Sequence, residues 1–155
     1  MLHAQQDSSS KSPVIKDSFD LLIQYMYRPA DTAIATQGLM KEVRDTSGMY
    51  YMDIAVGKGD TAKQGRLVFI RMIGYRQDGT LFSTDFAKNK LYSFTIGDAD
   101  VIRGLQAGVT GMREGGRRHL RVPSKAAYGA KGFGSARIPP NTTIEFDVEL
   151  IKVER

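Results

Sequence analysis

The 155-residue chain contains no cysteine. Disulfides, thiolate nucleophiles and cysteine-ligated metals are excluded together, although the absence does not identify a compartment. Histidine is nearly absent too. His3 and His119 are the only two, so a multi-histidine metal centre is not expected and no cofactor is called for. No apolar run approaches the roughly 18 to 20 residues that a membrane-spanning helix needs. The first residues, Met1 to Gln6, lack the apolar core of a signal peptide. Ala4 suits the stub of a trimmed cleavage site as well as Met1 suits an ordinary start. Localisation stays open between the cytoplasm and, for a trimmed chain, a periplasm or organelle lumen.

The remaining composition, 41% hydrophobic and 25% charged, is that of a globular protein with one well-packed domain. Its net charge of +5 is uneven. Residues 1–62 carry six Lys/Arg against eight Asp/Glu, whereas residues 63–155 carry sixteen against nine. A basic domain behind a slightly acidic leader suits either an anionic partner or a solvated basic face, and the second reading is favoured.

Three segments follow from local chemistry. Residues 1–16 include Ser8-Ser9-Ser10-Lys11-Ser12-Pro13 and are expected to be a disordered leader. Residues 17–46 are expected to be a helical extension. Asp17 or Ser18 would cap a helix through Phe19, Leu22, Ile23 and Met26, which Arg28-Pro29 stops, and a weaker helical pattern runs from Ile34 to Val43. This extension would pack on the domain behind it or contact another protein. From Gly48 the texture changes to strands, so residues 47–155 form the domain, with a core over 64–155.

Within that domain Tyr50, Met52, Ile54 and Val56 alternate with Tyr51, Asp53 and Ala55. Leu67 to Ile73, Leu81 to Asp85, Leu91 to Ile96 and His119 to Val122 are further strands, and Gln77-Asp78-Gly79-Thr80 has the chemistry of a hairpin turn. The last strand places Ile144, Phe146, Val148 and Leu150 on one face; Ile151 and Val153 break its phase, which predicts a bulge. Ile102, Leu105 and Val109 fall on one helix face, with Gly104 and Gly108 on another where small residues permit close approach to a sheet. Several antiparallel strands and one short helix make an α+β fold, in which the helix plugs a half-closed sheet and leaves a pocket at one end.

Other signals are weaker. Gly129 to Gly134 superficially suggests a phosphate loop, but no Gly-Lys-Ser/Thr ending or helix follows. Arg113, Arg117, Arg118, His119 and Arg121 lack interleaved stacking aromatics, so they predict a solvated rim and no nucleic acid, with His119 exposed. Phe94 is expected in the core. Asp100 suits capping of the helix after it or the rim of a pocket.

Three strings carry a resemblance: Val101-Ile102-Arg103-Gly104-Leu105-Gln106-Ala107-Gly108-Val109, Ala126-Ala127-Tyr128-Gly129-Ala130, and Ile138-Pro139-Pro140-Asn141 through Leu150. In order, spacing and turn residues, the segment from Gly65 to Arg155 resembles the FK506-binding family of peptidyl-prolyl isomerases. The resemblance implies an antiparallel half-barrel sheet of five to six strands wrapped around one short helix. It also implies prolyl cis/trans isomerisation, with Tyr128, Phe82, Ser83 and Phe146 at the reacting bond. Met72, Tyr92, Asp100, Val101, Ile102, Leu105, Phe133 and Ile138 would bind the ligand, with Leu105 as floor and the Lys131–Ile138 loop overhanging. In relatives the Ile102 backbone and the Tyr128 hydroxyl bond the ligand. The implied partners are proline-containing peptides and proteins, with macrolides of the FK506 and rapamycin type.

Two positions of the implied site depart from the family. Met72 stands where a Tyr is usual, and Ser83 where an Asp is usual. The loop at Phe133 is one residue longer, and Arg137 replaces an aliphatic residue. These changes predict altered selectivity, weakened macrolide binding and reduced activity. The alternative is a catalytically weak binding or chaperone module of the same fold.

Overall fold

The structure, a computed structural model, describes residues 41–42, 48–84 and 90–155. One antiparallel sheet contains β1 (Lys41–Glu42), β2 (Tyr50–Ala55), β3 (Leu67–Arg76), β4 (Leu81–Thr84), β5 (Tyr92–Thr95), β6 (Arg117–Val122) and β7 (Ile144–Glu154). Its order is β1-β2-β6-β7-β3-β4, and β5 also pairs with β3. The helix α1 (Arg103–Val109) joins β5 to β6. The sheet thus has the six strands β2 to β7, at the upper end of the expected number, plus a two-residue edge ladder.

That ladder is a correction. Lys41 and Glu42 fall in the second expected helix, yet they pair with Tyr51 and Tyr50 of β2. Ladder bonds to an open sheet edge outweigh a weak helical pattern with no cap. The leader over 1–16 and the rest of the helical extension lie outside the described residues.

The core explains the position of α1. Leu105 and Val109 are buried with Leu120, Val122, Ile144, Phe146 and Val148 from the facing strands. A Cβ on Gly108 would run into the Leu120 side chain, and one on Gly104 into Val122 and the Ala126 carbonyl. Glycine at these two positions therefore lets the helix sit directly on β6, as its spacing predicts. The C-terminal end of α1 is tied down by Arg118, whose guanidinium donates to the Gly108 carbonyl at 2.9 Å and to Asp53 at 2.7 Å and lies over the Tyr51 ring. The predicted bulge is present. Phe69 pairs with Lys152 and Ile70 with Leu150, which leaves Ile151 as the extra residue.

The opposite face of the sheet corrects the expectation of a solvated basic rim for Arg117 and His119, whereas Arg113 and Arg121 are exposed as expected. His119 is 9% exposed and Arg117 7%, and Asp147 is fully buried. His119 sits between two carboxylates, with Nδ1 2.8 Å from Asp147 and Nε2 3.4 Å from Glu145. Arg121 also pairs with Glu145, at 3.1 Å. The acidic partners of His119 and Arg121 come from β7, the register neighbour of β6, and that of Arg118 is Asp53 of β2.

Candidate functional site

Two short strands share one edge of β3. The β5 ladder covers Leu67 to Ile70, the β4 ladder begins at Ile73, and Met72 falls between them. A cavity of about 360 Å³ opens there, within the size range of small-ligand sites. Its described lining is Met72, Phe82, Ser83, Tyr92, Asp100, Val101, Ile102, Leu105, Tyr128, Phe133, Ala136 and Phe146. Eleven of the twelve residues singled out from the sequence are therefore in its wall. The exception is Ile138, which is 2% exposed and belongs to the core behind the overhanging loop. Ala136 lines the cavity and was not anticipated, because a small residue in an irregular loop leaves no periodic signal.

The aromatic walls are fixed by contacts between rings. Phe82 and Phe146 meet edge to face with centroids 5.6 Å apart, and Tyr92 packs on Phe94 at 5.7 Å. Tyr128 and Phe133 stack at 5.0 Å, although Phe133 remains 45% exposed at the rim. Gly74 makes the first pair possible. A Cβ there would come within 2.5 Å of the Phe82 ring and 3.1 Å of Phe146. A lone glycine inside a strand pattern marks such a close approach and was the available signal for it.

The polar groups are few. Burial, and secondarily the neighbouring Tyr92, pushes the Tyr128 hydroxyl above its ordinary pKa, so at neutral pH it is a protonated donor. Ile102 occupies the N-cap position of α1 without a side-chain cap, and its N–H meets no acceptor among the described residues. Asp100 does not cap α1, which corrects one of its two expected roles; it is exposed, with its backbone N–H bonded to Asp98. The loop before α1 is held by Gln106, which accepts from Gly97 N–H and donates to the carbonyls of Asp98 and Val101. Gln106 reads as an ordinary solvent-facing helix residue, so sequence gave no warning of this role.

Among the described residues no cluster of His, Asp or Glu is arranged to hold a metal. A second concavity of about 290 Å³ is lined by Asp60, Thr61, Lys63, Arg66, Arg113, Val153 and Arg155, a charged wall with no apolar socket for a ring. No helix among the described residues is long and apolar enough to cross a membrane.

The chain was compared with known families, curated proteins and solved structures. The family model for FKBP-type peptidyl-prolyl cis-trans isomerase matches residues 58–151. The FK506-binding protein of Neisseria meningitidis serogroup B is 38% identical over 106 residues, 68% of this chain and 96% of that protein. FK506-binding protein 4 of Emericella nidulans is 38% identical over 127 residues, 82% of this chain, but the chain spans only 26% of that relative's length. The crystal structure of FkpA from Escherichia coli matches with a TM-score of 0.68 at 28% identity, over 86% of this chain and 60% of that one. A family match over most of the folded domain, a bacterial relative aligned along nearly its whole length and a shared tertiary structure agree: this chain belongs to the FKBP-type peptidyl-prolyl cis-trans isomerase family.

Proposed function

We propose that this domain isomerises Xaa-Pro bonds without covalent chemistry, by holding the proline among Phe82, Tyr92, Tyr128 and Phe146. The observation that carries the reading is the cavity itself, lined by these rings together with Met72 and Leu105. Amide rotation meets a barrier of roughly 18–20 kcal/mol because it breaks resonance. Uncatalysed Xaa-Pro bonds exchange over tens to hundreds of seconds. The twisted amide is less dipolar than the planar one, so a site poor in water disfavours the ground state relative to it. Rings grip the pyrrolidine, while the Tyr128 hydroxyl and the Ile102 N–H, from two residues of the cavity lining, supply donors for flanking carbonyls. No proton transfer or nucleophile is required.

A second reading, a binding module with little catalysis, is favoured by the charge of the cavity. Among the described lining residues Asp100 alone carries a charge, and it is exposed; Ser83 supplies a neutral hydroxyl. Either way the ligands are proline-containing segments of folding or partner proteins, and macrolides of the FK506 type would bind weakly. Prolyl exchange on an Ala-Xaa-Pro-Phe peptide, followed by NMR, decides between the readings. Catalysis predicts exchange well above buffer that falls in Phe146→Ala and in Tyr128→Phe. Peptide binding with exchange no faster than buffer would establish the binding module instead.

A further inference from the structure

One side chain joins two segments that are 61 residues apart in sequence: the β3–β4 turn and the loop that overhangs the cavity. Arg76 is the last residue of β3. Its Nη1 donates to the Arg137 carbonyl at 3.1 Å, Nη2 to Asp78 at 2.9 Å and Thr80 Oγ1 at 3.0 Å, and Nε to Asp78 at 3.4 Å. The turn that presents it is itself ordered. Arg76 N–H donates to the Thr80 carbonyl, Gly79 N–H to the Arg76 carbonyl and Thr80 N–H to the Asp78 carboxylate, each at 2.9 Å. An exposed Arg–Asp pair contributes little by itself. Here its effect is to aim a planar fork, so that the remaining donor points at the loop.

The loop is a small closed unit. Phe133 and Ile138 exchange backbone hydrogen bonds at 2.8 and 3.0 Å, and Arg137 between them is left-handed at φ 57°. That conformation turns the Arg137 carbonyl to where Arg76 reaches it. The same unit carries Phe133 and Ala136 into the cavity wall, with Phe133 stacked on Tyr128. Beside the strap lies an open cleft lined by Arg76, Gln77, Asp78 and Pro139 to Thr143, without Pro140. Ile138 anchors the base of the unit in the core, so what Arg76 restrains is the exposed tip from Gly134 to Arg137.

We propose that Arg76 is a positioning residue, a strap that holds the 133–138 unit over the cavity and keeps Phe133 stacked on Tyr128, so setting how tightly a proline-containing peptide is gripped. The part concerning the peptide rests on the proposed function; the strap itself rests on geometry alone.

Two measurements on the full chain test it, using Arg76→Ala, Arg76→Lys and Asp78→Asn. The first is amide hydrogen exchange by NMR. In Arg76→Ala the Phe133 and Ile138 amides should exchange about tenfold faster, as loss of a charge-assisted hydrogen bond implies, while Met72 and Val148 in the sheet stay unchanged. Arg76→Lys keeps the charge but not the fork and should fall between, and Asp78→Asn should show a smaller rise through the misaimed guanidinium. Unchanged exchange at Phe133 and Ile138, or an equal rise at Met72 and Val148, overturns the strap. The second is affinity for an Ala-Xaa-Pro-Phe peptide by chemical-shift titration, with the exchange rate of the bound prolyl bond. Arg76→Ala should weaken affinity about threefold or more while the bound-state rate changes less than about twofold, the pattern of lost uniform binding. Faster loop exchange with unchanged affinity overturns the link to the ligand. A wild-type chain that binds without catalysis refutes the isomerase reading and leaves both decisions standing.

Discussion

Raising the pH towards 9 should loosen the sheet on the face opposite α1, because His119 is held there as a cation. Burial alone pushes its pKa down; hydrogen bonds to Asp147 and Glu145, reinforced by their charges, overcome burial and raise it from 6.5 to about 9. The geometry agrees. Both ring nitrogens face carboxylates, Nδ1 also lies 3.3 Å from the Tyr75 hydroxyl, and only the imidazolium donates from both. Arg121 competes for Glu145 but does not reach Asp147. The folded pKa lies above the unfolded one, so the stabilisation is fully present below pH 6.5 and lost as the pH rises through about 9. At 1.36 kcal/mol per pKa unit, the interval corresponds to about 3 kcal/mol at most. Urea unfolding of wild type and His119→Gln at a series of pH values reads this directly. Wild type should be more stable by up to about 3 kcal/mol near pH 6, with the two curves converging above about pH 9. Replacing His3 leaves one imidazole for an NMR titration in the folded state. Parallel stability curves, or a His119 imidazole that titrates below pH 7, would refute the reasoning.

Gly74→Ala would place a methyl group against Phe82 and Phe146, and forced repacking of that kind costs about 1–3 kcal/mol. Its midpoint in urea should fall and peptide affinity with it; an unchanged affinity would show that the Phe82–Phe146 wall is not set by Gly74. Gly108→Ala improves helix propensity by about 1 kcal/mol yet drives a methyl into Leu120, so a net loss of stability is expected in the same assay. A stabilised Gly108→Ala protein would mean that α1 does not press on β6. Ser83→Asp and Met72→Tyr, together and singly, should raise prolyl exchange or macrolide affinity by adding a carboxylate and a rigid hydroxyl-bearing ring to the wall. If neither quantity moves, those two positions do not limit the site.

The placement of the cavity was legible because its parts lie in strings with strong local character: an alternating strand for Phe146, a strand-to-helix junction for Val101 and Ile102, and an irregular Ala-Tyr-Gly segment for Tyr128. Ile138 lies in the core and not in the cavity lining, because an apolar residue in a loop can face either, and its own segment does not say which. His119 was misread for a related reason. On a strand of alternating basic residues it looks solvated, and nothing within its own segment shows that Asp147 and Glu145, on β7, are register neighbours of β6.

What the sequence alone determined is what short-range physics controls: the main strands, the core-facing row Ile144, Phe146, Val148 and Leu150 of β7, the Asp-Gly turn, the bulge near Ile151, and the helix whose Gly104 and Gly108 permit close packing. Each depends on periodicity or backbone freedom within a few residues. Tertiary structure decided everything that needs a partner distant in sequence: the carboxylate cage of His119, the Gln106 clasp on the loop before α1, and the Arg76 fork on Arg137. A polar side chain has many possible acceptors, and only the register of the folded sheet selects among them.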